Sequence, residues 1–161
     1  MTDTFDLDFA IKDIEYGVGY FNLGQDLLIE YSHAINDVTK NKTAEVLSSK
    51  NLSFAENTNN TNSDSNFLVG TVGEDCAAFE FIDTAGKLDG DTLAKADGYQ
   101  IYVTADKLAI LGHDNSACYF AMTTMQDIFN EIVGVKLRCF DASDYPELAT
   151  RGVIEGFYGQ P

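Results

Sequence analysis

The chain has 161 residues, of which 45% are hydrophobic and 12% aromatic, and its 26 acidic against 10 basic side chains give a formal net charge of −16. This length and composition suit one globular domain with its own core, and they exclude an intrinsically disordered chain. The acidic surface favours solubility and repels phosphate backbones and anionic lipid heads. We therefore expect neither nucleic acid nor a membrane surface among the partners.

The cysteines and histidines form neither a disulfide framework nor a metal-binding pattern. Cys76, Cys118 and Cys139 are odd in number, far apart and without a C-x-x-C pair, which predicts three small, mostly buried thiols. With only His33 and His113 besides them, we predict no transition-metal site. The opening residues MTDTFDLDF lack the features of a signal peptide, so the compartment stays open between the cytoplasm and export with a signal that has been removed.

The first half of the chain predicts two strands, a helix and a loop. FAIKDIEYGVGYF and QDLLIEYS are rich in β-branched and aromatic residues around Gly24, which favours a hairpin. AINDVTKNKTAEVLSSK spaces its apolar residues as a helix does, with Asn36 or Asp37 as the cap. Residues 55–66, AENTNNTNSDSN, have nothing to bury and predict a surface loop.

The second half gives clearer patterns. FLVGTVG favours a central strand, and DCAAFEFIDTAG is interpreted as a short helix ending at Gly86, with a longer strand as the alternative. GYQIYVTAD and KLAILGHD follow each other directly, which predicts a tight hairpin turning at residues 105–107. ACYFAMTTMQDIFNEIV, capped within residues 114–116, predicts a helix whose apolar stripe packs on a sheet rather than forming a ligand groove. VKLRCF then predicts a strand and DASDYPELATRG a linker.

Strands and helices in this order predict an α+β fold, with one mixed β-sheet and helices packed mainly on one face. Residues 1–149 contain none of the motifs G-x-S-x-G, G-x-x-x-x-G-K-[ST] or H-E-x-x-H. His113 and Asp114 are adjacent, but neighbours in a turn rarely point at each other, so we do not interpret them as a general-base pair. The scattered carboxylates are interpreted as solvated surface rather than as a glycosidase acid and base.

The tail of the chain, TRGVIEGFYGQP, has a different character. GVIEGFYG has the pattern of a strand that ends in two glycines around two aromatic residues. Gly156 permits close approach to the backbone near the end of such a strand, and Tyr158 offers a ring face and a hydroxyl. Because the carboxyl ends of strands build the active site of a (β/α)8 barrel, residues 150–161 predict the first strand of a truncated barrel behind a domain at residues 1–149.

The segment RGVIEGFYGQP closely resembles the start of the catalytic barrel of glycoside hydrolase family 84, which contains β-N-acetylglucosaminidases, O-GlcNAcases and enzymes named hyaluronidases. FLVGTVGEDCAAF, ADGYQIYVTADKLAILGHDNSACYFAMTTMQDIF and RGVIEGFYG also occur in the order seen in the N-terminal domain shared with family 20 hexosaminidases. The resemblance implies a mixed sheet with packed helices. It also implies that the Gly156 carbonyl accepts a hydrogen bond from a sugar hydroxyl and that Tyr158 lines the pocket in which this sugar binds.

The resemblance further implies that the chain is a non-catalytic part of an enzyme that removes terminal β-linked GlcNAc. In that family the substrate's own 2-acetamido oxygen attacks the anomeric carbon, with no metal or organic cofactor. The two adjacent catalytic aspartates would lie beyond Pro161, so no catalytic residue is expected in this chain, and Glu74-Asp75 should not be mistaken for that pair. A GlcNAc-containing glycan or glycoprotein would bind through the missing barrel, and neutral GlcNAc suits the acidic charge better than hyaluronan.

Two other functions stay open. One is a stand-alone carbohydrate-binding module with Tyr16, Tyr20, Tyr31 or Tyr102 as its sugar platform, although half-buried sheet tyrosines are the plainer interpretation. The other is a structural domain that supports the barrel. A terminal strand that has lost its barrel neighbours is expected either to be disordered or to pair with a sheet edge, including that of another copy of the chain, which would be self-association.

Overall fold

The computed structural model describes residues 4–7, 10–59 and 64–147. Within these ranges the strands are β1 (Asp13–Asn22), β2 (Leu27–Tyr31), β3 (Phe54–Glu56), β4 (Phe67–Thr71), β5 (Tyr99–Val103), β6 (Leu108–Gly112) and β7 (Lys136–Asp144). The helices are α1 (Asp37–Ser49), α2 (Ala77–Thr84), α3 (Gly90–Leu93) and α4 (Asn115–Glu131).

All these strands join in one mixed sheet with the order β1-β7-β5-β6-β4-β2-β3. Strands β2, β3, β4 and β6 run parallel to one another, whereas β5 is antiparallel to β6 and β7, and β1 is antiparallel to β7. The long helices α1 and α4, of 13 and 17 residues, pack on one face, and the short helices α2 and α3 lie on the other. The predicted α+β fold, with helices mainly on one face, is therefore confirmed.

The central strands β4 and β6 are buried on both faces of the sheet. Phe67 and Ile110 belong to the core beneath α1 and α4, while Leu68 and Leu111 belong to the smaller core beneath α2 and α3. A strand covered on both faces has no polar side to alternate with, which explains the continuous apolar runs FLVG and LAIL.

Several local predictions are confirmed. Helix α1 is capped by the Asn36 side chain, which accepts hydrogen bonds from two backbone N–H groups of the first turn, and Asp114 caps α4 in the same way. The segment around Phe81 is the short helix α2 rather than an extension of β4. Strands β5 and β6 form the predicted hairpin, closed by a hydrogen bond from the Thr104 N–H to the Lys107 carbonyl at 2.8 Å.

The predicted hairpin between the first two strands is wrong. Strand β1 is an edge strand that pairs with β7, whereas β2 lies between β3 and β4 in the other half of the sheet. Burial decides the difference, because Leu27 and Ile29 of β2 are buried beside β4 in the main core while most of β1 is exposed or half-exposed. β-Propensity around Gly24 marks both strands, but it does not specify their partners.

Two boundaries also differ from the prediction. Residues 54–56 form the edge strand β3 instead of opening the polar loop, because the backbone of β2 is available to pair with them. Strand β7 continues through residues 141–144, which the sequence assigned to a linker, since β1 and β5 flank it on both sides over that stretch. The polar side chains there do not show the pattern of a strand, although β7 has a neighbouring strand on each side.

Candidate functional site

A cleft of about 560 Å³ lies where the described chain leaves the sheet. We call it the exit-end cleft. Its walls come from distant parts of the sequence, namely Lys12 before β1, Tyr99 at the start of β5, Phe120 and Asp127 on α4, and Tyr145 and Glu147 after β7. The cleft is therefore a product of tertiary structure rather than of one sequence motif.

Tyr99 connects three walls of the exit-end cleft. Its hydroxyl lies 2.6 Å from Oγ1 of Thr124 on α4 and donates to Oδ2 of Asp144 at 3.4 Å. Only 5% of Tyr99 is exposed, so this hydroxyl needs such partners to avoid an unsatisfied buried polar group. The contacts hold α4 and the end of β7 at a fixed distance from β5.

Tyr145 fixes the chain directly after β7. The Nζ atoms of Lys12 and Lys95 lie 4.5 and 4.7 Å from the centre of its ring, which are cation–π distances. The Tyr145 N–H donates to Oδ1 of Asp144 at 2.9 Å. Lys12 also forms an ion pair with Glu147, and this hydrogen bond raises the pKa of Lys12 and lowers the pKa of Glu147.

The exit-end cleft is acidic and has no catalytic arrangement. Among the described residues that line it, Asp97, Asp127, Asp144 and Glu147 contribute carboxylates and Lys12 contributes an ammonium group, while the Lys95 ammonium group lies 4.7 Å from the ring of Tyr145. Of these carboxylates, Asp144 is engaged by Tyr99 and Glu147 by Lys12, and the lining residues that the structure describes include no serine, cysteine or histidine.

A second cleft, of about 570 Å³, lies outside the carboxyl ends of β2 and β4, where open sheets with parallel strands often hold ligands. It contains Glu74, whose carboxylate accepts hydrogen bonds from the Ala34 N–H at 3.0 Å and the Thr71 hydroxyl at 3.2 Å. Burial opposes ionisation of Glu74, but hydrogen bonds including these outweigh it and lower its pKa. The hydrogen bonds of Glu74 thus connect the loop after β2 to the end of β4, and they give the Glu74-Asp75 pair a structural role.

The cysteines and histidines are also structurally engaged. Burial raises the pKa of the thiols of Cys76, Cys118 and Cys139, which keeps them protonated and poorly nucleophilic at neutral pH. All three are free, with Cys118 and Cys139 buried as predicted and Cys76 half-buried. Nδ1 of His113 lies 2.9 Å from the Leu93 carbonyl, while the carboxylate of Asp114 caps α4, so the two do not form a catalytic pair.

Two further absences hold for residues 4–7, 10–59 and 64–147. No cluster of histidine, cysteine and carboxylate side chains in these ranges is arranged to hold a metal ion. None of the helices in the same ranges combines the length and the apolar character needed to cross a bilayer.

The tyrosines proposed as a sugar platform do not form one face of the sheet, although Tyr16 and Tyr102 both contribute to the lining of a cleft of about 210 Å³. Tyr16 packs with the main core, and its hydroxyl accepts a hydrogen bond from the Phe5 N–H at 3.0 Å. Burial raises the pKa of Tyr31, also beside the main core, to about 12. Tyr102 lies on the opposite face of the sheet against the ring of Phe81, and Tyr20 is 47% exposed at the edge. Tyr16, Tyr31 and Tyr102 are thus half-buried sheet tyrosines, and Tyr20 is exposed.

The predicted sugar-binding residues Gly156 and Tyr158 lie outside the described residues, as does the terminal strand proposed for self-association. The residues that build the exit-end cleft were not identified from the sequence. Tyr145 lies six residues before the segment that resembles a barrel, and this proximity was a signal that the sequence offered. Its contact with Lys12 joins positions at opposite ends of the described chain, and nothing in the local sequence indicates it.

Comparison with known proteins identifies the family to which this sequence and fold belong. Residues 10–145 match the profile of glycosyl hydrolase family 20, domain 2. The structure of CpGH84D superposes with a TM-score of 0.88 at 26% identity, over 99% of this chain and 27% of that one. CpGH84B gives 0.73 at 20% identity, over 97% and 26% of the two chains. The Flavobacterium johnsoniae chitobiase gives 0.63 at 13% identity, over 89% and 21%.

These matches agree with one another on the described fold. The chain spans about a quarter of the length of the solved structures it resembles, and its fold is that of the N-terminal domain of glycoside hydrolase family 84 proteins. The profile covers well over half of the sequence, from before β1 to the end of β7. The chain therefore belongs to the protein-domain family described as glycosyl hydrolase family 20, domain 2.

Proposed function

We propose that this chain is the non-catalytic N-terminal domain of a family 84 β-N-acetylglucosaminidase. The observation that carries the proposal is the likeness to CpGH84D over 99% of the chain, at 26% identity and a TM-score of 0.88. The segment RGVIEGFYGQP supports it independently, because it resembles the start of the family's catalytic barrel.

The absence of a catalytic arrangement in the two described clefts supports the non-catalytic part of the proposal. Glycoside hydrolysis needs an acid with a raised pKa placed beside a second carboxylate. Glu74 instead has a lowered pKa and is held by backbone and hydroxyl donors. Asp141 does have a raised pKa, caused by burial, but its carboxylate accepts a hydrogen bond from the fully buried Gln100.

In the complete enzyme the sugar would bind in the barrel that follows this domain. The 2-acetamido oxygen of a terminal β-linked GlcNAc would attack the anomeric carbon and displace the aglycone, and water would then open the bicyclic intermediate with net retention. One aspartate of the downstream pair would orient the acetamido group, and the other would serve first as acid and then as base. The role of the present chain is to fold independently and to support that barrel.

The test compares this chain with a longer protein that includes the reading frame beyond Pro161. The substrate is p-nitrophenyl β-N-acetylglucosaminide. We expect the longer protein to release p-nitrophenol from it, and the 161-residue chain to release none. The matched control substrate is the p-nitrophenyl β-glucoside, which lacks the acetamido group and should not be cleaved. Hydrolysis by the short chain, or equal cleavage of both substrates by the longer protein, would contradict the proposal.

A further inference from the structure

We propose that the exit-end cleft is the surface on which the catalytic domain of the same polypeptide docks, with Tyr145 setting the direction in which the chain enters that domain. This inference rests on the proposed function, because it requires a catalytic domain downstream of Glu147. It goes further by assigning the contact surface and the chemistry of its partner.

The exit-end cleft lies at the end of the sheet where the chain both enters and leaves it. Strands β1 and β7 are antiparallel neighbours, with Asp13 opposite Ser143, so the chain enters and leaves the sheet at the same end. Strand β7 has 9 residues, which corresponds to a length of about 30 Å. A connection of a few residues spans about 3.5 Å per residue at most. A domain that follows closely after Glu147 must therefore begin beside the exit-end cleft.

The residues that follow β7 leave the sheet in a fixed direction. Tyr145 contacts Lys12 and Lys95, which precede β1 and follow α3, and Glu147 forms an ion pair with the same Lys12. Two separate stretches of the chain, around Lys12 and Lys95, thus hold the last described residues against the domain. A chain held in this way presents the following domain in one orientation, whereas a chain without such contacts would act as a flexible linker.

The surface of the exit-end cleft combines aromatic side chains with carboxylates. Phe120 of α4 and the Tyr145 ring are half-buried and supply apolar contact area, and the carboxylates of Asp97 and Asp127 add negative charge beside them. Aromatic groups with a charged rim are typical of protein interfaces. The expected partner surface is therefore apolar with a lysine or arginine at its edge. The sequence beyond Glu147 carries a basic residue, Arg151, at the start of the barrel-like segment.

The exposed apolar residues elsewhere do not compete with this surface. Val18 and Val133 are 100% and 98% exposed, but they lie on the bulge of β1 and just before β7 begins. Both positions are displaced along the strands from the end at which the chain leaves. They lie farther from Glu147 than the exit-end cleft does, so a domain that starts directly after Glu147 reaches the exit-end cleft first.

The experiment is hydroxyl-radical footprinting of this chain and of the longer protein under the same conditions. Covering the exit-end cleft should reduce the modification of Phe120 and Tyr145 at least threefold in the longer protein. Tyr20, 47% exposed towards the other end of β1, is the internal control and should be modified equally in both. Equal modification of Phe120 and Tyr145 in the two proteins would overturn the proposal.

A charge reversal tests the chemistry of the contact. In the longer protein, Asp127→Lys should restore the modification of Phe120 to the level of the short chain. Asn130→Lys is the matched control, because Asn130 is exposed on the same helix one turn later and does not line the cleft. If Asp127→Lys fails to fold, Thr123→Arg at an exposed position of the same wall serves instead. Protection of Phe120 that survives both substitutions would overturn the proposal.

The outcomes separate this inference from the proposed function. An active longer protein with an uncovered cleft would leave the function standing and reject the docking surface. An inactive longer protein would reject the function, whatever its footprint. Protection that rises with the concentration of the short chain alone would assign the surface to a second copy, and protection of the short chain by added GlcNAc oligomers would assign it to a glycan; either would overturn the proposal.

Discussion

Gln100 is a fully buried polar side chain of β5 that contacts two neighbouring segments. Its amide group donates to the Lys87 carbonyl at 2.7 Å and to Oδ1 of Asp141 at 2.8 Å, and its carbonyl accepts from the Asp89 N–H at 3.1 Å. These bonds join the loop between α2 and α3 to the middle of the sheet. One side chain therefore satisfies polar groups that would otherwise be buried without partners.

Gln100→Leu should lower the free energy of unfolding by about 2–4 kcal/mol, because it leaves the Asp89 N–H and one oxygen of the half-buried Asp141 unpaired. Urea denaturation followed by circular dichroism measures this change. Gln126→Leu is the matched control, since it removes only a bond from Lys42 and should change stability by less than about 0.5 kcal/mol. Equal effects of the two substitutions would show that the buried network does not contribute to stability.

Glu74→Gln should destabilise the fold at pH 7 and have little effect at low pH. The folded-state pKa of Glu74 lies below its ordinary value, so its ionised form adds stability above the unfolded pKa of about 4.3. That contribution disappears as the pH falls through the folded pKa. Thermal unfolding of both proteins from pH 7 to pH 3 should show two curves that converge on acidification, and a constant difference would contradict this assignment.

The packing of α2 on β4 depends on a close approach at Gly70. A Cβ atom at this position would lie within 2.4 Å of Sγ of Cys76, the N-cap of α2, so a larger residue must displace the helix or the thiol. On the other side, the Cys118 thiol donates to the Gly70 carbonyl at 3.2 Å. Helices on both faces therefore approach the sheet at one glycine.

Gly70→Ala should lower the free energy of unfolding by about 1–3 kcal/mol through this overlap. Gly73→Ala is the control, because a Cβ there meets no atom within 4 Å and should change stability by less than about 0.5 kcal/mol. Combining Gly70→Ala with Cys76→Ala removes the clashing sulfur and should recover most of the loss. Chemical denaturation measures the free energy of unfolding of the three variants. A double variant no more stable than Gly70→Ala would show that overlap with the Cys76 sulfur does not cause the loss.

Elements whose partners are close in sequence were the predictable part of the fold. The β5–β6 hairpin and the caps Asn36 and Asp114 depend on residues within a few positions of one another. The sequence predicted the hairpin, and it placed the caps at Asn36 or Asp37 and within residues 114–116. The pairing of β1 with β7 and the contact of Lys12 with Tyr145 join residues more than a hundred positions apart. Such pairings are set by burial in the finished sheet, which a local pattern does not report.

At the scale of the whole molecule, both edges of the described sheet resist further pairing. Strand β3 has only 3 residues, and the register of β1 against β7 shifts between Tyr16 and Tyr20, with the fully exposed Val18 at the shift. Short edge strands and bulges are features that prevent edge-to-edge association. Self-association of this chain, as predicted from its sequence, would therefore depend on the segment after Glu147.

Truncation after Glu147 tests that dependence. The protein of residues 1–147 keeps every described element and should sediment as a monomer at all accessible concentrations. The 161-residue chain carries the apolar segment GVIEGFYG in addition and should show a concentration-dependent increase in sedimentation coefficient. Analytical ultracentrifugation compares the two. A monomeric full chain would remove self-association from its properties, and association of both proteins would place it on the described surface.

The pairing of Asp13 with Ser143 has a consequence for how the gene can be rearranged. A domain whose first and last strands meet at one end can be inserted as a unit into a loop of another protein, because the host chain needs to open at only one place. The same adjacency permits circular permutation, with a short linker joining residues 10 and 147 and new termini in the polar stretch between β3 and β4. Such a permutant would keep the strand order of the sheet while moving the point at which any following domain is attached.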